Sequence, residues 1–159
     1  GGVGKTVEID ETVITKRKYG VGRCVRQQWI FGGVEIDSGE CFLVPVDNRS
    51  AATLMPLIYK HILPGTTIVS DCWASYSQIQ GADYSHLTVN HSLNFVDPVT
   101  SACTNHIESL WQKFKQAHRT RFGTHRTLLP AYIEEFVWRK KFSGPDAFYH
   151  LWMQIQHIC

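Results

Sequence analysis

The sequence predicts an α/β domain built on a mixed sheet, three antiparallel strands followed by parallel ones, flanked by helices. Three observations predict it. Thr6–Val13 alternates apolar and polar residues, two more β-rich runs follow across a turn, and from Ser50 onward helical and strand patterns alternate before the chain closes in helices. With 159 residues, 43% of them hydrophobic, the chain can bury one substantial core and is short for two, so residues 1–159 are read as one domain.

The elements follow in order. Thr6-Val-Glu-Ile-Asp-Glu-Thr-Val13 has the two-residue period of a half-buried strand, and Lys16-Arg-Lys-Tyr-Gly20 reads as a basic loop. Gln28–Ile36 and Cys41–Val46 are β-rich and are separated by Asp37-Ser-Gly-Glu40, a hairpin signal. Ser50 is placed to cap a helix through Ile62, with Leu54, Leu57, Ile58 and Ile62 on one face and Leu63-Pro-Gly65 as its stop. Thr66–Ser70 is then a short buried strand ending at Asp71. A brief helix at Ala74–Ile79, a strand near Leu87–Asn90 and a loop at Asn94–Pro98 lead to Thr104–His118. There Ile107, Leu110, Trp111 and Phe114 recur at helical spacing, with Thr104 or Asn105 as the cap. Pro130 opens a helix through Phe142, and a last one spans Pro145 to Ile158.

Composition excludes several function classes. No apolar run approaches the roughly 20 residues of a membrane helix, so no membrane partner is expected. The five cysteines are scattered and form no C-x-x-C pair, which argues for reduced thiols rather than a disulfide framework or a zinc ribbon. Gly4-Lys5-Thr6 imitates the end of a phosphate-binding loop, but it leads into a strand where that motif requires a helix. The start at Gly1, without Met or a leader-like apolar stretch, is read as a fragment of a longer protein. Net charge is only +2, yet residues 1–26 carry six Lys and Arg against three acids, residues 27–112 two against eight, and residues 113–159 eight against three. Two basic ends around an acidic middle suit a carboxylate site served by phosphate-binding side chains; a plain solvated surface has the same composition.

Three acids lie where metal-assisted phosphodiester chemistry would need them. Mg²⁺ takes hard carboxylate oxygens, and two such ions about 3.5–4 Å apart can activate one oxygen and stabilise another. Asp10 lies mid-strand among hydrophobes, Asp71 just past a strand, and Glu108 beside Ile107 on an amphipathic helix. Each also has an ordinary alternative: Asp10 facing outward from an edge strand, Asp71 capping the following helix, Glu108 as a surface residue. Glu8, Asp10 and Thr12 share a face, of which only one need be functional. Trp73 and Tyr76 read as core or loop anchors, and His91 as either a site residue or a packed or surface histidine.

The wording of the motifs goes further. Val7-Glu-Ile-Asp-Glu11, Trp29-Ile-Phe-Gly-Gly33, Pro64-Gly-Thr-Thr-Ile-Val-Ser-Asp-Cys-Trp-Ala-Ser-Tyr76, Val89-Asn-His-Ser92, Phe95-Val-Asp-Pro98 and Thr104-Asn-His-Ile-Glu-Ser-Leu-Trp111 together resemble the Merlin transposases of eukaryotes, relatives of a bacterial insertion-sequence group with an ISXO2-like transposase domain. The resemblance runs from Val7 to about Phe148. It implies a DDE transposase with an RNase H-like catalytic core, a layout that the element order fits. It implies Asp10, Asp71 and Glu108 as the catalytic, metal-holding acids, with two Mg²⁺ or Mn²⁺ ions. Asn105 is a rival or assistant to Glu108, since some relatives use Asn third, and His91 is a further assistant. Lys115, seven residues past the third acid, is the expected DNA contact, joined by Lys16, Arg17 and Lys18. Helical spacing sets Asn105, Glu108, Trp111 and Lys115 on one stripe. Cys103 departs from the pattern, standing where relatives commonly have His. The resemblance further implies DNA (transposon ends and target) as partner, at least a homodimer, a nuclear location, and DNA-binding modules N-terminal to this segment. The alternative is a domesticated or inactive copy that binds DNA or protein without cleaving.

Overall fold

The computed structural model describes residues 1–14, 27–79, 83–90, 96–97, 102–121 and 126–156. Its strands are β1 (Thr6–Val13), β2 (Trp29–Glu35), β3 (Cys41–Val46), β4 (Thr67–Asp71) and β5 (Ser85–Val89). Its helices are α1 (Ala51–His61), α2 (Asn105–Arg119), α3 (Leu129–Lys141) and α4 (Ala147–Gln156), with short 3₁₀ turns at Ala74–Ile79 and Arg126–Leu128. The sheet order is β3-β2-β1-β4-β5. β1, β2 and β3 pair antiparallel, and β4 joins β1 and β5 in parallel, so the mixed sheet is as expected.

β1 is central, and its two-residue period sorts the layers. Val7 and Ile9 enter a core with Phe31, Leu54, Ile58 and Ile68, beneath α1. The alternate residues face α2, whose Ile107, Leu110, Trp111 and Phe114 pack on Ile30 and Val34 of β2 and on Ile133 of α3. Ile9, Ile58, Ile68 and Ile107 are fully buried, each contributing roughly 1.5–3 kcal/mol by leaving water. Both faces of the sheet are therefore covered, as parallel pairing favours. The β2–β3 hairpin turns at Gly39, whose φ of +69° suits a residue without Cβ, while Glu35 N–H bonds Glu40 O at 2.9 Å.

The helix starts differ from expectation in one respect. Ser50 and Thr104 occupy the positions before α1 and α2, but neither side chain caps its helix. Ser50 Oγ instead lies 3.1 Å from Thr53 Oγ1, and a residue of β1 supplies the α2 cap. α4 buries none of its residues, leaving Phe148 and Trp152 exposed. No helix among the described residues is long and apolar enough to cross a membrane.

Candidate active site

Asp10 stands mid-strand because β1 reverses character there, from core hydrophobe to polar, on the face that α2 covers. Its cross-strand partner is Gly32. That glycine is required by contact: a Cβ there would lie 2.6 Å from Leu43 and 2.7 Å from the Trp111 ring. The bare backbone lets the Trp111 indole lie against the sheet, where its Nε1 donates to Asp10 Oδ2 at 2.9 Å. One carboxylate oxygen is thereby oriented.

Asp71 reaches the same neighbourhood through strand register. β1 and β4 pair from Thr6 opposite Thr67 to Glu8 opposite Val69, and two more steps at that offset bring Asp10 level with Asp71. The Asp71 Oδ1 accepts the Trp73 N–H at 3.0 Å, which closes a turn ahead of the 3₁₀ segment at Ala74–Ile79 rather than capping it. The turn occupies that oxygen and fixes the carboxylate. Trp73 anchors the loop by donating from Nε1 to Arg49 O at 3.1 Å, and Ser75 Oγ donates to the same carbonyl at 2.7 Å. The Arg49 guanidinium lies 4.0 Å from the Trp73 ring centroid and 4.7 Å from that of Trp29, within cation–π range. Tyr76 is a core residue.

α2 is held against β1 at two levels. Glu8, fully buried, accepts the Ile107 N–H on Oε2 at 2.8 Å and meets His106 Nδ1 on Oε1 at 2.7 Å. A carboxylate at a helix N-terminus satisfies an orphan donor and complements the helix dipole. Four residues past Ile107, Trp111 is fixed to Asp10. Glu108 lies between these two clamps, about 4.5 Å along the axis before Trp111. Its side chain is exposed, and Thr104 Oγ1 donates to its Oε1 at 3.4 Å. Asn105 is exposed at the start of α2 and Lys115 is half-buried. The stripe is thus divided, because Trp111 turns inward to the sheet.

The electrostatics suit a cation. Burial, with the Asp71 charge adding to it, pushes the Asp10 carboxyl up to about 6, against the opposing hydrogen bond from Trp111. Two acids that repel each other, offering only hard oxygens, fit a divalent ion such as Mg²⁺. On the opposite face, burial pushes Glu11 up to about 7, with Tyr76 and the Arg49 charge opposing. Arg49 Nε lies 3.6 Å from Glu11 Oε2, but among the described residues neither carboxylate oxygen closes a hydrogen bond of good geometry.

Strand register brings Asp10 level with Asp71 on one sheet face, and α2, which packs on β1 and β2 of that face, carries Glu108, Asn105 and Lys115. Lys16, Arg17, Lys18 and His91 lie outside the described residues. Sequence reasoning missed Glu8 as the α2 cap, Trp111 as the donor to Asp10, and Arg49 as the anchor behind Asp71. Glu8 left a signal, being an acid two residues before Asp10 on the same strand face. Arg49 left none, since its partners lie on three separate segments.

Residues 2–141 match the family model described as ISXO2-like transposase domain. An uncharacterized transposase-like protein of Haemophilus influenzae is 29% identical over 99 residues, which is 62% of this chain and 78% of that protein. The HTLV-2 integrase catalytic core domain in complex with magnesium, in its dimeric form, is similar in structure with a TM-score of 0.59 at 13% identity, covering 87% of this chain and 86% of that one. A chain of the simian T-cell lymphotropic virus intasome, in complex with PP2A regulatory subunit B56 gamma, gives 0.58 at 14% identity, covering 87% of this chain and 48% of that one. The chain thus spans about half the length of that intasome chain. These neighbours share the fold, which is the RNase H-like fold of retroviral integrase catalytic cores.

Proposed function

The chain belongs to the ISXO2-like transposase domain family, and we propose that it is the catalytic core of a Merlin-type DDE transposase that cuts transposon ends and joins them to target DNA. The observation that carries this is the register that sets Asp10 level with Asp71 on one sheet face, together with the two bonds that hold α2, the helix of Glu108, against β1. In this reading Asp10, Asp71 and Glu108 hold two Mg²⁺ or Mn²⁺ ions, with Asn105 assisting. Such ions, when bound, activate the attacking oxygen and stabilise the leaving oxygen of an in-line displacement.

The residues of the chain supply position. Trp111 orients Asp10, and the Trp73 N–H sets the direction of Asp71. Lys115 contacts the phosphate backbone of the same DNA, joined by Lys16, Arg17 and Lys18, while His91 serves the scissile phosphate. Water attacks the phosphodiester and frees the element's 3′ hydroxyl. That hydroxyl then attacks a target phosphodiester, displacing a 3′ oxygen of the target strand, and no covalent protein intermediate forms. Two ends must be held at once, so the working form is at least a homodimer, acting in the nucleus of a eukaryotic host with DNA-recognition modules that precede this segment.

The test is cleavage of element-end DNA with Mg²⁺ by the full-length protein and by Asp71→Ala and Glu108→Ala. Each variant is expected to lose at least about 10³-fold in rate, some 4 kcal/mol of transition-state stabilisation. Wild-type rates in either variant, or undiminished cleavage in a chelator, refute the assignment.

A further inference from the structure

We propose that Glu8, Cys103 and His106 form a second metal site, for a borderline-soft divalent ion such as zinc, at the first turn of α2 and separate from the three acids named above. The donor atoms of the three residues all lie within 4.8 Å of one another. His106 Nδ1 is 2.7 Å from Glu8 Oε1, and Cys103 Sγ is 4.0 Å from that same oxygen. Zinc bonds of about 2.0–2.3 Å place tetrahedral ligands roughly 3.3–3.6 Å apart, a spacing that these distances bracket.

The chemistry of the set selects the ion. Carboxylate, thiolate and imidazole match zinc and cobalt, whereas Mg²⁺ prefers oxygen alone. Charge also balances: Glu8 carboxylate, Cys103 thiolate and neutral His106 together cancel a dication, so no net charge is placed at the positive end of α2. Glu8 is fully buried, and the Ile107 N–H holds its Oε2, leaving Oε1 directed at the other two donors. That bond orients the ligand as outer-shell bonds do in zinc proteins. The His106 side chain is half exposed (50%), so solvent can reach the site and complete the fourth position. On binding, the Cys103 thiol releases its proton to solvent and the sulfur takes the metal in its place. The ion then ties β1 to α2 across the 98 residues between Glu8 and His106 and fixes the height of that helix.

The experiment titrates the chain with Co²⁺ and follows the thiolate-to-cobalt charge-transfer absorption, then competes with Zn²⁺ and with excess Mg²⁺. One equivalent of Co²⁺ is expected to produce the band, Zn²⁺ to remove it and Mg²⁺ to leave it. Cys103→Ser should abolish the band and weaken Zn²⁺ binding by at least about 10–100-fold, and His106→Gln should weaken both metals comparably. Cys103→His should keep Zn²⁺ binding without the band. Cys72→Ser and Asp71→Asn should leave the band unchanged, separating this site from the exposed Cys72 thiol and from the paired aspartates. A band that persists in Cys103→Ser, that vanishes in Cys72→Ser, or that yields to Mg²⁺ overturns the proposal. Should Cys103→Ser fail to fold, His106→Gln decides: Co²⁺ affinity equal to wild type overturns it.

Discussion

On the α2 face of β1, Glu8 receives the Ile107 N–H at 2.8 Å and Asp10 receives the Trp111 indole N–H at 2.9 Å. On the α1 face, Glu11 stands 3.6 Å from Arg49 Nε, and neither of its oxygens closes a hydrogen bond of good geometry among the described residues. All three acids come from one tetrad, Glu-Ile-Asp-Glu, with Ile9 between them in the core. The difference lies in what covers each face. A helix start and an indole offer directed N–H donors, which hold a carboxylate in one orientation. Stacked aromatics and a guanidinium offer charge without direction. The first face can present an ionised acid to a ligand, and the second packs an acid behind the loop that follows Asp71.

Asp10→Asn should have the largest effect. It should reduce cleavage at least about 10³-fold while stabilising the metal-free fold. The sign follows from burial: with its carboxyl raised from 3.8 to about 6, Asp10 favours the fold fully below about pH 4 and loses that contribution as pH rises through 6. An amide cannot ionise, so the variant should be more stable than wild type by about 1–3 kcal/mol at pH 8 and equal to it near pH 3.5. Thermal melts in chelator at the two pH values check this. A variant destabilised at pH 8 would show that the Asp10 charge is compensated within the chain.

Gly32→Ala comes next. Its methyl would meet Leu43 and Trp111, so a destabilisation of about 1–3 kcal/mol is expected, with reduced cleavage as the indole shifts off Asp10. A neutral melt would mean that Trp111 is not seated on bare backbone. Glu11→Gln sharpens the contrast from the other face. Glu11, raised to about 7 by burial, favours the fold fully below about pH 4.5 and loses that contribution through pH 7. Its amide should therefore raise the melting temperature at pH 8, by the equivalent of about 1–3 kcal/mol, and leave cleavage within a few-fold of wild type. Loss of cleavage would place Glu11 in the reaction. Trp111→Phe comes last, costing about 1.5 kcal/mol for one hydrogen bond to a charged acceptor. Because that bond lowers the Asp10 pKa, its loss should move the acid limb of the pH–rate profile upward.

Much of the fold was legible because local rules govern it. The period of Thr6–Val13, the Asp37–Glu40 turn and the spacing of Ile107, Leu110, Trp111 and Phe114 each report a face or a reversal within a few residues. The site was legible only in its acids. A pattern tells which face a side chain takes but not which element covers that face, so the bond from Trp111 to Asp10, across 101 residues, left no local trace. Thr104 illustrates the cost of local reasoning. A hydroxyl at that position is the usual cap, but the buried Glu8 carboxylate takes the α2 N–H instead.

Asp10, Asp71 and Glu108 are expected to act as one unit, which Mg²⁺-dependent cleavage by Asp71→Asn, Glu108→Gln and the double variant will reveal. Residues that serve one step together are strongly non-additive. Each single change is expected to reduce the rate about as far as the double does. Losses that multiply in the double variant, or a Glu108→Gln protein as fast as wild type beside an inactive Asn105→Ala, would mean that the three acids do not act together.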